Sequence, residues 1–394
     1  GAVQLARGEK AEARESFHLA LEQEPGFVPA RLNLARMHLG QGDTGKARKV
    51  LEEGREHRPD HPDLLLRLAE LAFAAGDPEQ GEGYLEQARA AHPEALEPGL
   101  ALARWRLANG NADEAERILE ALRDAHEDKR AWKTARTRLD LARRDYPAAQ
   151  EGLEDLLASD PDNPGLLSEL GRVQARLGRP EKAEALYRQA LEAAAGEPVA
   201  ILRALGGVLV TQDRHEEALE LAARIREAEP EAAAGPLLQG EAHLAAERFA
   251  EAADAFREAQ AIAPASRTAL KLFSALRRAG EEEAAVAGLE QWLEAHPEDS
   301  RAQVALAGWR QQRGDADAAA ATYEQLLRER KADPVTLNNL AWIYLERGDP
   351  RALELAEKAH EMLPENAAIM DTLGWLRLQN GQVEQALTLL ERAA

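Results

Sequence analysis

The sequence predicts an all-α solenoid of helix-turn-helix units, on three observations. Composition is the first: 45% of the 394 residues are hydrophobic but only 4% are aromatic, so any core is built mainly from Ala and Leu, both strong helix formers. The second is a period. Pro25, Pro59 and Pro93 stand 34 residues apart, Pro161 follows two periods later, and Pro230, Pro264, Pro297 and Pro364 hold the phase to within one or two residues. Internal repetition at that length marks a stack of supersecondary units. The third is a pair of columns of small residues, one in each half of the period, where two closely crossing helices need a missing side chain.

Taken in order, each period opens with a first helix carrying a small residue at position 8: Ala35, Ala69, Ala103, Gly171, Gly206, Gly240, Ser274, Ala307, Ala341 and Gly374. A turn follows at position 14 or 15, where Gly8, Gly42, Gly76, Gly110, Gly178, Gly280, Gly314, Gly348 and Gly381 suit the left-handed conformation that ends a helix. Asp43, Asp77, Asp145, Asp315 and Asp349 come next, suited to capping a second helix. That helix carries the second small column at position 20, as in Ala47, Ala149, Ala252, Ala319 and Ala386. A large residue follows at position 24, as in Phe17, Leu51, Tyr187, Phe256 and Leu390. The proline then closes the unit.

Small-8, small-20, large-24 and Pro-32 in a 34-residue helix-turn-helix resemble the tetratricopeptide repeat pattern over essentially all of residues 1–394. Eleven repeats start near residues 28, 62, 96, 130, 164, 199, 233, 266, 300, 334 and 367, preceded by part of another. The family's Trp at position 4 and Tyr at position 11 are mostly replaced, although Tyr344 keeps the latter. The resemblance implies one right-handed α-α superhelix in which positions 2, 5, 6, 9, 12 and 13 of the first helices line a concave groove. It also implies a non-catalytic scaffold that holds a protein or peptide partner there.

Three irregularities interrupt the pattern. Near residue 130 Arg136 and Thr137 stand where Leu and a small residue belong, which suggests a first helix rotated by one residue, with Trp132, Ala135, Leu139 and Ala142 as its buried line. One residue is inserted near Ala193 to Pro198 and one is missing near Gly280. Gly1 falls at position 8 of an incomplete repeat and Ala394 at position 28 of another, so a piece of a longer array is expected, since solenoids finish on polar capping helices.

Charge excludes some functions. Lys plus Arg number 49 and Asp plus Glu 70, a net charge of -21, which repels nucleic-acid backbones and anionic lipid. The basic cluster of Lys129, Arg130, Lys133, Arg136, Arg138, Arg143 and Arg144 has only Trp132 interleaved and points to local acidic partners rather than nucleic acid. Without cysteine there are neither disulfides nor thiolate metal sites, and no apolar run approaches the roughly 20 residues of a membrane span. His57 and His61 have helical metal-ligand spacing, but Pro59 between them spoils it. With no phosphate loop, serine elbow or HExxH, the expectation is no catalytic residue, no cofactor and no metal.

Two sets of groove residues are candidates for binding. Position 9 reads Arg36, Glu70, Arg104, Arg138 and Arg172 in the N-terminal half, an arginine stripe able to grip carboxylates bidentately unless neighbouring glutamates neutralise it. Further on, position 9 reads Gly207, Glu241, Ala275, Gly308, Trp342 and Trp375. Asn338, Asn339 and Trp342, with Asp371 and Trp375 one repeat later, bring amide, carboxylate and indole to adjacent inner turns, which suits a peptide or a sugar ring; interior packing of both indoles is the alternative. Thr336 to Ala393, with its LNNLAW, GDPRALELAEKA and DTLGW strings, is also similar to the C-terminal repeats of bacterial tetratricopeptide lipoproteins that accompany exosortase systems. That narrower resemblance implies a periplasmic protein organising exopolysaccharide production, export or secretion machinery. A carbohydrate-binding module and a regulatory arm of a larger enzyme or sensor are the other functions weighed.

Overall fold

The computed structural model describes residues 1–329, 331 and 333–394, which form twenty-four α-helices and no strand. They divide into two compact units, Gly1–Ala194 and Ala195–Ala394, where the sequence suggests one array; the division falls in the stretch with the inserted residue. The first unit holds α1 (Ala2–Ala6), α2 (Lys10–Gln23), α3 (Val28–Leu39), α4 (Thr44–His57), α5 (Pro62–Ala74), α6 (Pro78–Ala91), α7 (Leu96–Ala108), α8 (Ala112–His126), α9 (Arg130–Arg143), α10 (Tyr146–Ala158), α11 (Pro164–Arg176) and α12 (Pro180–Ala193). The second holds α13 (Val199–Thr211), α14 (His215–Ala228), α15 (Ala234–Ala245), α16 (Phe249–Ile262), α17 (Ser266–Arg278), α18 (Glu282–Ala295), α19 (Ser300–Gln312), α20 (Ala316–Arg328), α21 (Pro334–Arg347), α22 (Arg351–Met362), α23 (Ala367–Gln379) and α24 (Val383–Ala393).

Local chemistry sets the helix ends. The carboxylates of Asp43, Asp77, Asp145 and Asp315 accept the backbone N–H three residues on, at 3.0 to 3.2 Å, capping α4, α6, α10 and α20. Asp349 instead accepts from the N–H of Arg351 at 2.9 Å. Gly42, Gly76, Gly110 and Gly178 turn the chain with φ between +71° and +79°.

Packing follows the two small columns. Ala47, Ala149, Ala183, Ala252, Ala319 and Ala386 are fully buried. At position 8 a Cβ on Gly171 would lie 2.9 Å from Tyr187, and one on Gly240 2.6 Å from Phe256, so the missing side chain makes room for the large residue at position 24 of the same pair. The buried side chains gather in successive local clusters, such as one drawing on α3 to α6 and another on α19 to α24.

Two expectations about register are corrected. In α9, Trp132, Ala135 and Leu139 are buried, but Ala142 is exposed and Thr137 and Asp140 are buried instead. The helix is not rotated: Thr137 takes the small residue's place because Gly152 of α10 faces it, where a Cβ would lie 2.3 Å from the Thr137 hydroxyl. In α17, Ser274 is exposed and Phe273 is buried, and Ala275, expected on the groove side, is buried as well. Since α17 starts at Ser266 and Gly280 keeps its usual place fifteenth in the unit, the missing residue belongs to the junction before Ser266.

Candidate functional site

In the first unit, α5, α7 and α9 border a cleft of about 610 Å³. Leu66, Leu100, Ala131 and Ala135 give it an apolar floor, while Arg67, Arg104, Arg130 and Arg138 face only Glu70 and Glu97, a positive balance within a strongly acidic chain. Two of these arginines are engaged: Arg67 donates to Glu70 at 2.7 and 2.8 Å, and Arg130 donates to Asp160 at 3.1 Å and to Ser159 at 2.9 Å. Arg104 makes only a contact within its own helix, from Nε to the Leu100 carbonyl at 3.3 Å. Among the described residues Arg138 has neither a hydrogen bond nor an ion pair. Of the arginine stripe, the fold therefore brings Arg104 and Arg138 together with guanidinium donors to spare. Arg36 is exposed, donates to Asn33 Oδ1 at 2.6 Å, and borders a different pocket with Leu5, Lys10 and Met37. Arg172 is exposed and paired with Glu169.

The second set of candidates separates by burial. Asn339 donates from Nδ2 to the Tyr323 hydroxyl at 3.3 Å. Half-buried Trp342 donates from its indole to Glu346 on its own helix at 3.0 Å, whereas Trp375 is 46% exposed, with Asp371 one turn before it. Asn338 sits largely inside, only 9% exposed, and its Oδ1 has no partner among the described residues. Trp342 thus has a local partner, and Trp375 is the indole free to meet a ligand.

Among the described residues most of the basic cluster near residue 130 is paired internally, Arg138 and Arg144 excepted. Lys133 pairs with Asp155 at 2.6 Å, Arg136 with Glu120 at 2.8 Å, and Arg143 with Asp113 at 2.6 Å. Burial pushes the Asp140 carboxyl above its usual range, against the opposing pull of Arg136.

One ionic group has no counterpart in the sequence reading. Glu241 of α15 pairs with Arg203 of α13 at 2.7 Å and with Lys271 of α17, tying three consecutive first helices. Burial raises the Glu241 carboxyl, but the two cations outweigh it and hold the pKa below the usual 4.5. Glu241 is visible in sequence as a position-9 residue, and a cation at position 5 or 6 on each flanking helix was the signal to look for. Among the described residues no group of three His, Asp or Glu could hold a metal ion, and no helix is long and apolar enough to cross a membrane.

Family models described as tetratricopeptide repeat match residues 4–71, 38–83 and 72–139, then 134–198 and 203–267, and finally 369–392, well over half of the chain. No curated protein matches the sequence. Among solved structures, yeast Tom70 is 14% identical with a TM-score of 0.55, the alignment covering 94% of this chain and 92% of that one. A tetratricopeptide repeat protein from Parabacteroides merdae ATCC 43184 is 19% identical with a TM-score of 0.48, over 62% of this chain and 97% of its own. At such identity the likeness to Tom70 concerns the fold alone, and it agrees with the helix pairs, left-handed turns and small-residue crossings described above. The chain is an all-α solenoid that belongs to the tetratricopeptide repeat family.

Proposed function

We propose that the chain is a non-catalytic scaffold that holds an acidic protein or peptide segment in the cleft between α5, α7 and α9. The observation that carries this reading is Arg138, which has no partner among the described residues and shares an apolar-floored cleft with the nearly unengaged Arg104. A guanidinium there forms paired hydrogen bonds to a carboxylate, and the floor takes the aliphatic part of the same side chain. The test is titration calorimetry with a peptide alternating Glu and Leu. Replacing both Arg104 and Arg138 by Glu is expected to weaken binding by about a hundredfold, near 3 kcal/mol, while Arg36→Glu leaves it unchanged. Equal loss from Arg36→Glu, or none from the double variant, rejects the cleft as the site.

A second reading is favoured by one observation, the exposed indole of Trp375 beside Asp371, which suits a sugar ring. It accords with the resemblance of residues 336–393 to exopolysaccharide-associated lipoproteins, and on this reading the protein organises polysaccharide export or secretion machinery in a bacterial periplasm. Quenching of tryptophan fluorescence by an oligosaccharide, abolished by Trp375→Ala, is the expected result; an unchanged spectrum across exopolysaccharide fragments removes this reading.

A further inference from the structure

The helix pair α17/α18 departs from the other pairs in where its bulk lies. The fourth residue of the first helix is large and buried in five other pairs, as Leu65, Leu167, Leu202, Leu337 and Met370, but in α17 it is Ala269; α7 has Gly99 there, over which Leu122 packs. The volume reappears four residues on as Phe273, at the place where other pairs carry Ala, Gly or Thr so that two helices can cross closely. With an aromatic ring at the crossing and a methyl group where a large side chain belongs, a cleft of about 550 Å³ opens between α16 and α18 above α17. That volume lies within the range of small-molecule sites.

Two residues of α18 keep the cleft open. A Cβ on Gly288 would meet nothing within 4 Å, so this mid-helix glycine, costly to a helix, serves no packing contact and leaves its backbone open to an occupant. Trp292 lines the cleft at the place where Leu122, in the pair α7/α8, fills the space above Gly99. Its indole N–H instead donates to Asp299 at 2.7 Å and its ring lies against that of His296, centroids 3.9 Å apart. Held at both ends, the indole forms a wall and does not fill the space.

The lining also departs from the chain's charge. Aspartate and glutamate number 70 of 394 residues, yet none lines this cleft; the charge-bearing side chains among its lining residues are His296 and Arg257, whose Nη1 pairs with Asp254 on its own helix and leaves Nη2 and Nε to donate. Leu272, Phe273, Leu289 and Trp292 supply apolar surface. We propose that this cleft binds a small amphiphile, an aliphatic chain ending in a carboxylate, with the chain between α16 and α18 and the head toward Arg257. The inference is independent of the acidic-segment reading, which concerns other helices.

The experiment is titration calorimetry of the whole chain with dodecanoate, dodecanol and dodecyltrimethylammonium below their micellar limits. Dodecanoate is expected to bind one to one in the micromolar range, dodecanol about tenfold more weakly, and the cationic amphiphile more weakly still. Gly288→Leu places a side chain in the cleft and is expected to weaken dodecanoate binding by at least about tenfold while the melting temperature holds or rises. Ala269→Leu, which fills the same space from the floor, does the same, and Gly83→Leu, at an equally open glycine of α6, has no effect. Arg257→Gln removes the preference for dodecanoate over dodecanol. Absence of stoichiometric dodecanoate binding, undiminished binding to both filled variants, or equal affinity for the cationic amphiphile overturns the proposal.

Discussion

Arg144, Asp213 and Glu247 stand fifteenth in their units, where other units have glycine, and each holds φ between +57° and +61°. A side chain in that region crowds the backbone, at a cost of about 1–2 kcal/mol. Glu247 is exposed, so Glu247→Gly is expected to raise unfolding stability by about 1 kcal/mol in urea titration; a loss of stability there would mean that the turn is not strained. A second pair of single residues fits by exchange. Thr137 occupies a small residue's place only because Gly152 yields the volume. Gly152→Ala is expected to destabilise by about 1–3 kcal/mol, with Thr137→Ala in the same chain restoring most of it. Strictly additive losses in that double variant would contradict the contact.

Between elements, one device recurs at a separation of 20 residues. Arg106 bonds to Glu86, Arg310 to Glu290 at 2.9 Å, Arg377 to Glu357 at 3.5 Å, and the Tyr344 hydroxyl to Glu324 at 2.6 Å, each from a first helix back to the second helix before it. Burial and the Glu324 carboxylate together push the Tyr344 hydroxyl up to about 12. At the same place α9 has Asp140, which would face Glu120 unbalanced, and Arg136 bonds to both. The group around Glu241 extends the theme across three first helices. Its carboxyl is held below 4.5 in the folded chain, so it stabilises above that value, and the contribution is lost as pH falls through the lowered folded pKa. Glu241→Gln is expected to cost about 1–3 kcal/mol at neutral pH. The gap from the unsubstituted chain should close in acid, where both lack the charge; a gap that persists unchanged would refute the ionic role.

For the whole molecule, the consequence of successive local cores is that damage stays local. Leu85 is fully buried in α6, within a cluster drawing on α5 to α9. Leu85→Ala is expected to destabilise by about 2–5 kcal/mol. By hydrogen exchange, protection should fall in α5 to α8 while α20 to α24 keep theirs. Loss of protection throughout would indicate one cooperative core in place of a chain of neighbours. The chain's acidity has the same distributed character, and the positive cleft between α5, α7 and α9 and the carboxylate-free cleft between α16 and α18 are local departures from it.

Read alone, the sequence determined the helix pairs, their turns and their crossings, because those depend on residues within one 34-residue unit: a glycine to turn, an aspartate to cap, a small side chain opposite a large one. It also marked Arg104 and Arg138 by their place on the helix. Tertiary structure decided what depends on contacts between units. It showed that Arg172 and Trp342 have partners while Arg138 has none among the described residues, that Asn338 lies inside, and that Thr137 is accommodated by Gly152. It also assigned Phe273, not Ser274, to the crossing of α17 and α18. A pattern match tolerates a shift of one residue, but a helix does not: one step turns a side chain by about 100°, from the interior to the solvent. The apolar cleft in the second unit is lined by that buried Phe273.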